Sequence, residues 1–127
     1  MSALILDAGA LVAVDRDDRT MMARLRTAQQ HGLELRTSAM VVAQVWRDQH
    51  GRQVGLARLL RAVDVRAVSH RDGREAGALL AGAGTADPID ATVVLLARPG
   101  DRIVTSDTGD LTRLAAVAGN RPVIVAC

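Results

Sequence analysis

Lysine, tyrosine and phenylalanine are all missing from this chain of 127 residues, and cysteine occurs once. Without a lysine there is no P-loop phosphate binding and no Schiff-base chemistry. Two Asp-centred α/β classes that depend on a lysine, response-regulator receivers and haloacid-dehalogenase-like phosphatases, are excluded with them. Cys127 alone makes neither an intramolecular disulfide nor a cysteine-based zinc site. Trp46 is the single aromatic residue, so the core must be aliphatic. No apolar run approaches the ~20 residues of a membrane span, and the start lacks the basic n-region of a signal peptide. The expectation is a soluble, cytoplasmic domain with no membrane association.

What is present fits one domain. Hydrophobic residues make up 49% of the chain, and a fold of this size buries roughly two-thirds of its unfolded surface without needing a disulfide or structural metal. All sixteen basic residues are arginine; the net charge is +2, with a pI of about 9.9. That balance permits an anionic partner without demanding one. Five stretches read as strands: "ALILD" (3–7), "LELRT" (33–37), "DVRAVS" (64–69), "RIVTS" (102–106) and "PVIVA" (122–126). Between them, apolar residues recur at helical spacing: Met21, Met22, Leu25 and Ala28; Leu56, Leu59, Leu60 and Val63; Ala76, Leu79, Leu80 and Ala83; Leu111, Leu114, Ala115 and Ala118. Ile89 to Ala97 is apolar on nearly every side and predicts a central, buried helix. Alternating strands and helices predict an α/β domain, a parallel sheet of about five strands with helices on both faces. Gly82–Thr85 and Arg98–Asp101 read as loops within it.

The acids fall in a pattern. In open parallel sheets, sites form beyond the carboxyl ends of strands. Asp7 ends the first strand, Asp107 follows the fourth, and Asp110 comes three residues later. Asp87 and Asp90 head the apolar helix, where i and i+3 share a face. Carboxylates gathered on one edge repel one another, and a hard divalent cation such as Mg²⁺ or Mn²⁺ is the plainest compensation. Helix capping competes with this reading. Asp87, Pro88 and Asp90 make a good helix start, with Asp87 as N-cap. Asp107 or Thr108 can cap the next helix, with Asp110 in its first turn. Ser38 reads as an N-cap, the acidic cluster at 15–19 as a solvated helix start, and His31, His50 and His70 as surface residues.

With the acids placed, the chain resembles a PIN domain, specifically the VapC-type toxins of bacterial toxin–antitoxin pairs, over residues 1–127. "LILDAGALVAV" resembles the family's opening strand with its first acid, Asp7. "TSAMVVAQVWR" occupies the place of the Ser-initiated helix that carries the second acid. "IDATVVLLA" resembles the Asp-Ala motif, with Asp90 as the third acid. "IVTSDTGDLTRL" resembles the Thr-x-Asp motif, with Asp107 as the fourth and Asp110 as a helper. Where the family has a glutamate, this chain has Gln44, an amide that brings no charge. Arg47, one turn on, is a candidate phosphate contact or simply a solvated arginine. The resemblance implies a metal-dependent endoribonuclease in which Asp7, Asp90 and Asp107 hold one or two Mg²⁺ or Mn²⁺ ions. Its implied partners are RNA, a VapB-type antitoxin and a second copy of the chain in a homodimer. The alternative is a degenerate PIN domain that binds antitoxin or RNA but cuts little, because Gln44 replaces an acid. Helices expected at 38–49 and 52–62, with Val41, Val42, Val45 and Trp46, would form the antitoxin surface unless these side chains simply fill the core.

Overall fold

The strands form where short apolar runs meet, and the order in which they pair sets up the site. The computed structural model describes residues 2–127. Strands β1 (Ala3–Leu6), β2 (Glu34–Ser38), β3 (Asp64–Arg66), β4 (Arg102–Thr105) and β5 (Val123–Ala126) make one parallel sheet in the order β3-β2-β1-β4-β5. All four residues of β1 are buried, as expected for a central strand covered on both faces. Register pairs Ile5 with Arg36 on one side and with Ile103 on the other.

Among the described residues, seven α-helices connect the strands: α1 (Ala8–Asp15), α2 (Arg19–Gln30), α3 (Ala39–Val45), α4 (Val54–Leu60), α5 (His70–Ala83), α6 (Pro88–Leu95) and α7 (Thr108–Ala118). The chain steps from β1 to β2 to β3 in one direction, then returns past β1 to β4 and β5. Right-handed crossovers therefore put the early helices on one face and the late helices on the other. The packing agrees: α1 touches α2, α4 and β4, whereas α5, α6 and α7 pack on one another. Ile5, Leu6, Leu11, Leu56, Ile103, Leu111 and Leu114 are fully buried between these layers, so the core is aliphatic. The reversal of direction falls between β1 and β4, and the carboxyl ends of strands at such a point are where open α/β sheets bind ligands.

Some boundaries differ from those expected. The loop expected at Gly82 begins later, because α5 continues to Ala83 and ends on Gly84, whose φ of 69° suits glycine. β3 stops at Arg66 rather than continuing to residue 69, as befits a short edge strand. The helix expected over 38–49 ends at Val45, and Trp46 is already extended. Gln53 explains the break. Its buried amide oxygen accepts from Arg47 N and Asp48 N, both at 2.6 Å, and its nitrogen donates to Val45 O at 3.0 Å and to Asp15 Oδ2 at 3.2 Å. These bonds capture the backbone groups that another helical turn would use. Val41 is fully buried, while Val45 and Trp46 pack partly buried against the core. Much of the expected surface apolar area on α3 is therefore core. No single helix is long and apolar enough to cross a membrane.

Candidate metal centre at the switch point

Asp7 stands between β1 and α1 because the strand ends there and the helix must begin. Its amide still donates to Val104 O (3.0 Å), extending the β1–β4 ladder by one residue. Its side chain does not cap α1, although its backbone geometry is that of an N-cap. Instead, the buried carboxylate accepts a hydrogen bond from Thr105 Oγ1 at 2.7 Å. The same Thr105 oxygen accepts from Asp107 N at 2.9 Å. One hydroxyl thus ties the acid after β1 to the acid after β4. Gly9 permits this closeness: a Cβ there would lie 2.7 Å from Ser106 Oγ and 3.2 Å from Cys127 Sγ.

The other acids come from helix starts. Asp87 caps α6, accepting from Ile89 N (2.9 Å) and Asp90 N (3.4 Å), as its sequence context suggests. With that duty taken, Asp90 turns inward and is buried, and its Oδ2 has no hydrogen-bond partner. Asp107 caps α7 through a long contact with Asp110 N (3.5 Å). Asp90, Asp107 and Asp110 each offer a carboxylate oxygen within 4.8 Å of the others. Asp7 stands outside that tight group of three but close enough to act electrostatically on Asp90. Burial first, then the charges of Asp87 and Asp7, and the hydrogen bond with Asp107 together with its charge, push Asp90 up to about 8.

The group expected from sequence was Asp7, Asp90 and Asp107 with Asp110 as an accessory; Asp110 instead joins the closest set. Gln44 lies exposed one residue before the end of α3, a helix that touches both α1 and α6. Arg47 turns its guanidinium back onto Ala43 O (3.1 Å) and Trp46 O (2.7 Å), capping the end of α3. Sequence reasoning named the Thr-x-Asp motif but gave its threonine, Thr105, no role, and the structure makes it the link between Asp7 and Asp107. Sequence reasoning also took Ser38 only as a cap. Ser38 does accept from Met40 N (3.1 Å), but its oxygen also lies 3.1 Å from Thr92 Oγ1, tying the end of β2 to α6 beside Asp90.

The donor set suits a hard cation. All three clustered groups are carboxylates, and one buried oxygen is orphaned where a positive charge would satisfy it. Ligand oxygens on one Mg²⁺ at ~2.1 Å lie at most ~4.2 Å apart, a little less than the 4.8 Å within which these three oxygens lie.

Fold and site together define a class, an α/β fold with a five-stranded parallel sheet and a cluster of acids beyond the carboxyl ends of its strands. No family model matches the sequence, and no curated protein matches it. Among solved structures, the chain is similar to one in the crystal structure of VapBC2 from Rickettsia felis bound to a DNA fragment from their promoter. The TM-score is 0.72, the identity is 14%, and the match covers 98% of each chain. At this identity the likeness establishes the fold.

Proposed function

We propose that this protein is a metal-dependent endoribonuclease, the toxin of a VapBC-type toxin–antitoxin pair. The observation that carries the reading is the convergence of Asp90, Asp107 and Asp110 at the switch point, with Asp90 buried and one of its oxygens orphaned. Asp90, Asp107 and Asp110 would hold Mg²⁺ or Mn²⁺, with Asp7 beside them. When bound, such an ion neutralises charge on the scissile phosphate and lowers the pKa of the attacking water. The protein's own groups prepare for this. Thr105 fixes Asp7 and the backbone of Asp107, so two acids keep one spacing. Asp90 is pushed above the usual carboxylate range, so a bound cation would compete with a proton there and metal affinity should rise with pH toward 8. The acids disfavour the scissile phosphate until a cation enters, while arginines outside the site supply attraction to the rest of the backbone.

The VapBC2 likeness supports a VapB-type antitoxin as partner. Met22 on α2, Met40 on α3 and Val54 on α4 leave large apolar side chains in water, and α2 and α4 flank a groove of about 270 Å³. A second copy of the chain in a homodimer is proposed on the sequence resemblance alone.

The test is cleavage of total RNA with Mg²⁺ or Mn²⁺ by wild type, Asp90→Asn and Asp107→Asn. Expected is metal-dependent cleavage that falls at least a hundredfold in either variant. Equal cleavage by wild type and variants would remove the acids from the reaction. Intact antitoxin binding with no wild-type cleavage would favour the degenerate reading, in which Gln44 leaves the site one charge short.

A further inference from the structure

We infer that a groove between α2 and strands β4 and β5 is a track for the phosphate backbone of single-stranded RNA leaving the acid cluster. The inference rests on the ribonuclease reading and assigns part of its substrate path. Arg24, His31 and Arg102 line a cavity of about 320 Å³ over an apolar floor that includes Leu4, Val104 and Val125. No carboxylate lines it, whereas the other described cavities lined by arginine each contain an acid as well. Neither Arg24 nor Arg102 has a salt-bridge partner among the described residues.

The groove leads to the site. Arg24 also lines an adjoining cavity of about 350 Å³ that reaches Gly9 and Ser106, and the one acid in it, Asp18, is engaged in capping α2 by accepting from Met21 N. Gly9 is two residues from Asp7, and Ser106 directly precedes Asp107. Arg102 begins β4 and Ser106 follows it, so the path is four residue steps, roughly 13 Å at ~3.3 Å each. Cations spaced along such a path, over a surface without aromatic rings, suit a sugar–phosphate chain rather than stacked bases. The occupant is therefore read through its charge, and sequence preference must come from elsewhere.

The experiment measures binding of a fluorescent single-stranded RNA of about twelve nucleotides in EDTA, over a salt series. Wild type is compared with Arg24→Gln/Arg102→Gln and with Arg71→Gln/Arg74→Gln, which removes two arginines from α5. Losing two phosphate contacts should weaken binding about tenfold at low salt and lower the log–log salt slope by about 1.4, or ~0.7 per contact. The α5 variant should leave both nearly unchanged. If the half-buried Arg24 proves necessary for folding, by circular dichroism, Arg102→Gln/His31→Ala replaces it at exposed positions. An unchanged slope, an equal effect of the α5 variant, or no binding by wild type overturns the track. So does loss of affinity for a Glu-rich peptide with RNA binding intact, which would assign the groove to an acidic protein segment. Cleavage of a dinucleotide in Mn²⁺ separates the two readings. The groove variant should retain it, and a wild type that binds RNA with the expected slope but never cleaves would sink the ribonuclease reading alone.

Discussion

Two groups of acids are built onto the same sheet, and they are treated in opposite ways. Beneath α6, Glu34, Asp64 and Asp101 surround Arg36, whose guanidinium is almost wholly buried at 2.6, 3.7 and 4.0 Å from their oxygens. Asp101 is further satisfied by Ala3 N and Arg98 N, each at 2.9 Å. At the switch point, Asp7, Asp90, Asp107 and Asp110 gather with no buried cation. Among the described residues, the one arginine paired with these acids, Arg113, makes a loose, exposed contact of 3.9 Å with Asp110. A charge cluster that exists for the fold brings its counter-ion with it, because burying a lone carboxylate is costly. A cluster left without one retains that cost until something cationic arrives, and this separates the candidate site from the structural network.

The comparison fails or sharpens on four measurements. The largest effect belongs to the matched cluster. Arg36→Met should destabilise the fold by about 3–5 kcal/mol in urea unfolding, since it strands Asp101 without its cation. A loss below about 1 kcal/mol would mean that the arginine is incidental there.

Thr105→Val should cost about 1–3 kcal/mol, because it leaves an oxygen of buried Asp7 and the amide of Asp107 without their partner. Mn²⁺ affinity, followed by titration calorimetry, should fall with it. Stability lost without a change in metal binding would make Thr105 a purely structural residue.

Asp90→Asn should act in the opposite direction and stabilise the protein in chelator at pH 8, by about 1–2 kcal/mol after solvent screening. The sign follows from the shift. The folded-state value, about 8, lies above the unfolded value, so the stabilisation is full below the unfolded value and is lost as pH rises through about 8. Wild type should therefore lose melting temperature from about pH 4 to pH 8 relative to the variant. Parallel profiles would show that Asp90 is not held protonated.

The smallest effect concerns the gap in the acid set. Gln44→Glu should tighten Mn²⁺ binding about tenfold, a net gain of about 1–2 kcal/mol once repulsion from the aspartates is subtracted. Equal or weaker binding would show that the exposed end of α3 does not face the cation.

Period and punctuation in the chain were sufficient for five parallel strands, for the buried α6 and for Asp87 as its cap, because each depends on neighbours a few residues away. Asp7 and Asp107 were legible as strand-end acids for the same reason. Arg36 was not. An arginine within a five-residue strand reads as an exposed edge residue until Asp64 and Asp101, 28 and 65 positions further on, are brought around it. The early end of α3 escaped for a like cause, since Gln53 acts from beyond the segment it interrupts.

Local residue order by itself determined the elements, their caps and which acids stand at strand ends, since those follow from side-chain periodicity and backbone hydrogen bonding over one or two turns. Only the tertiary structure decided that Asp110 joins Asp90 and Asp107, and that Thr105 links Asp7 to Asp107. It also decided that one acid group meets an arginine while the other does not. Those outcomes depend on the strand order β3-β2-β1-β4-β5, which sets β4 beside β1 across 98 residues between Asp7 and Thr105. Electrostatic energy at such a site varies with distances of a few ångströms and with burial, and both are fixed only when the sheet closes.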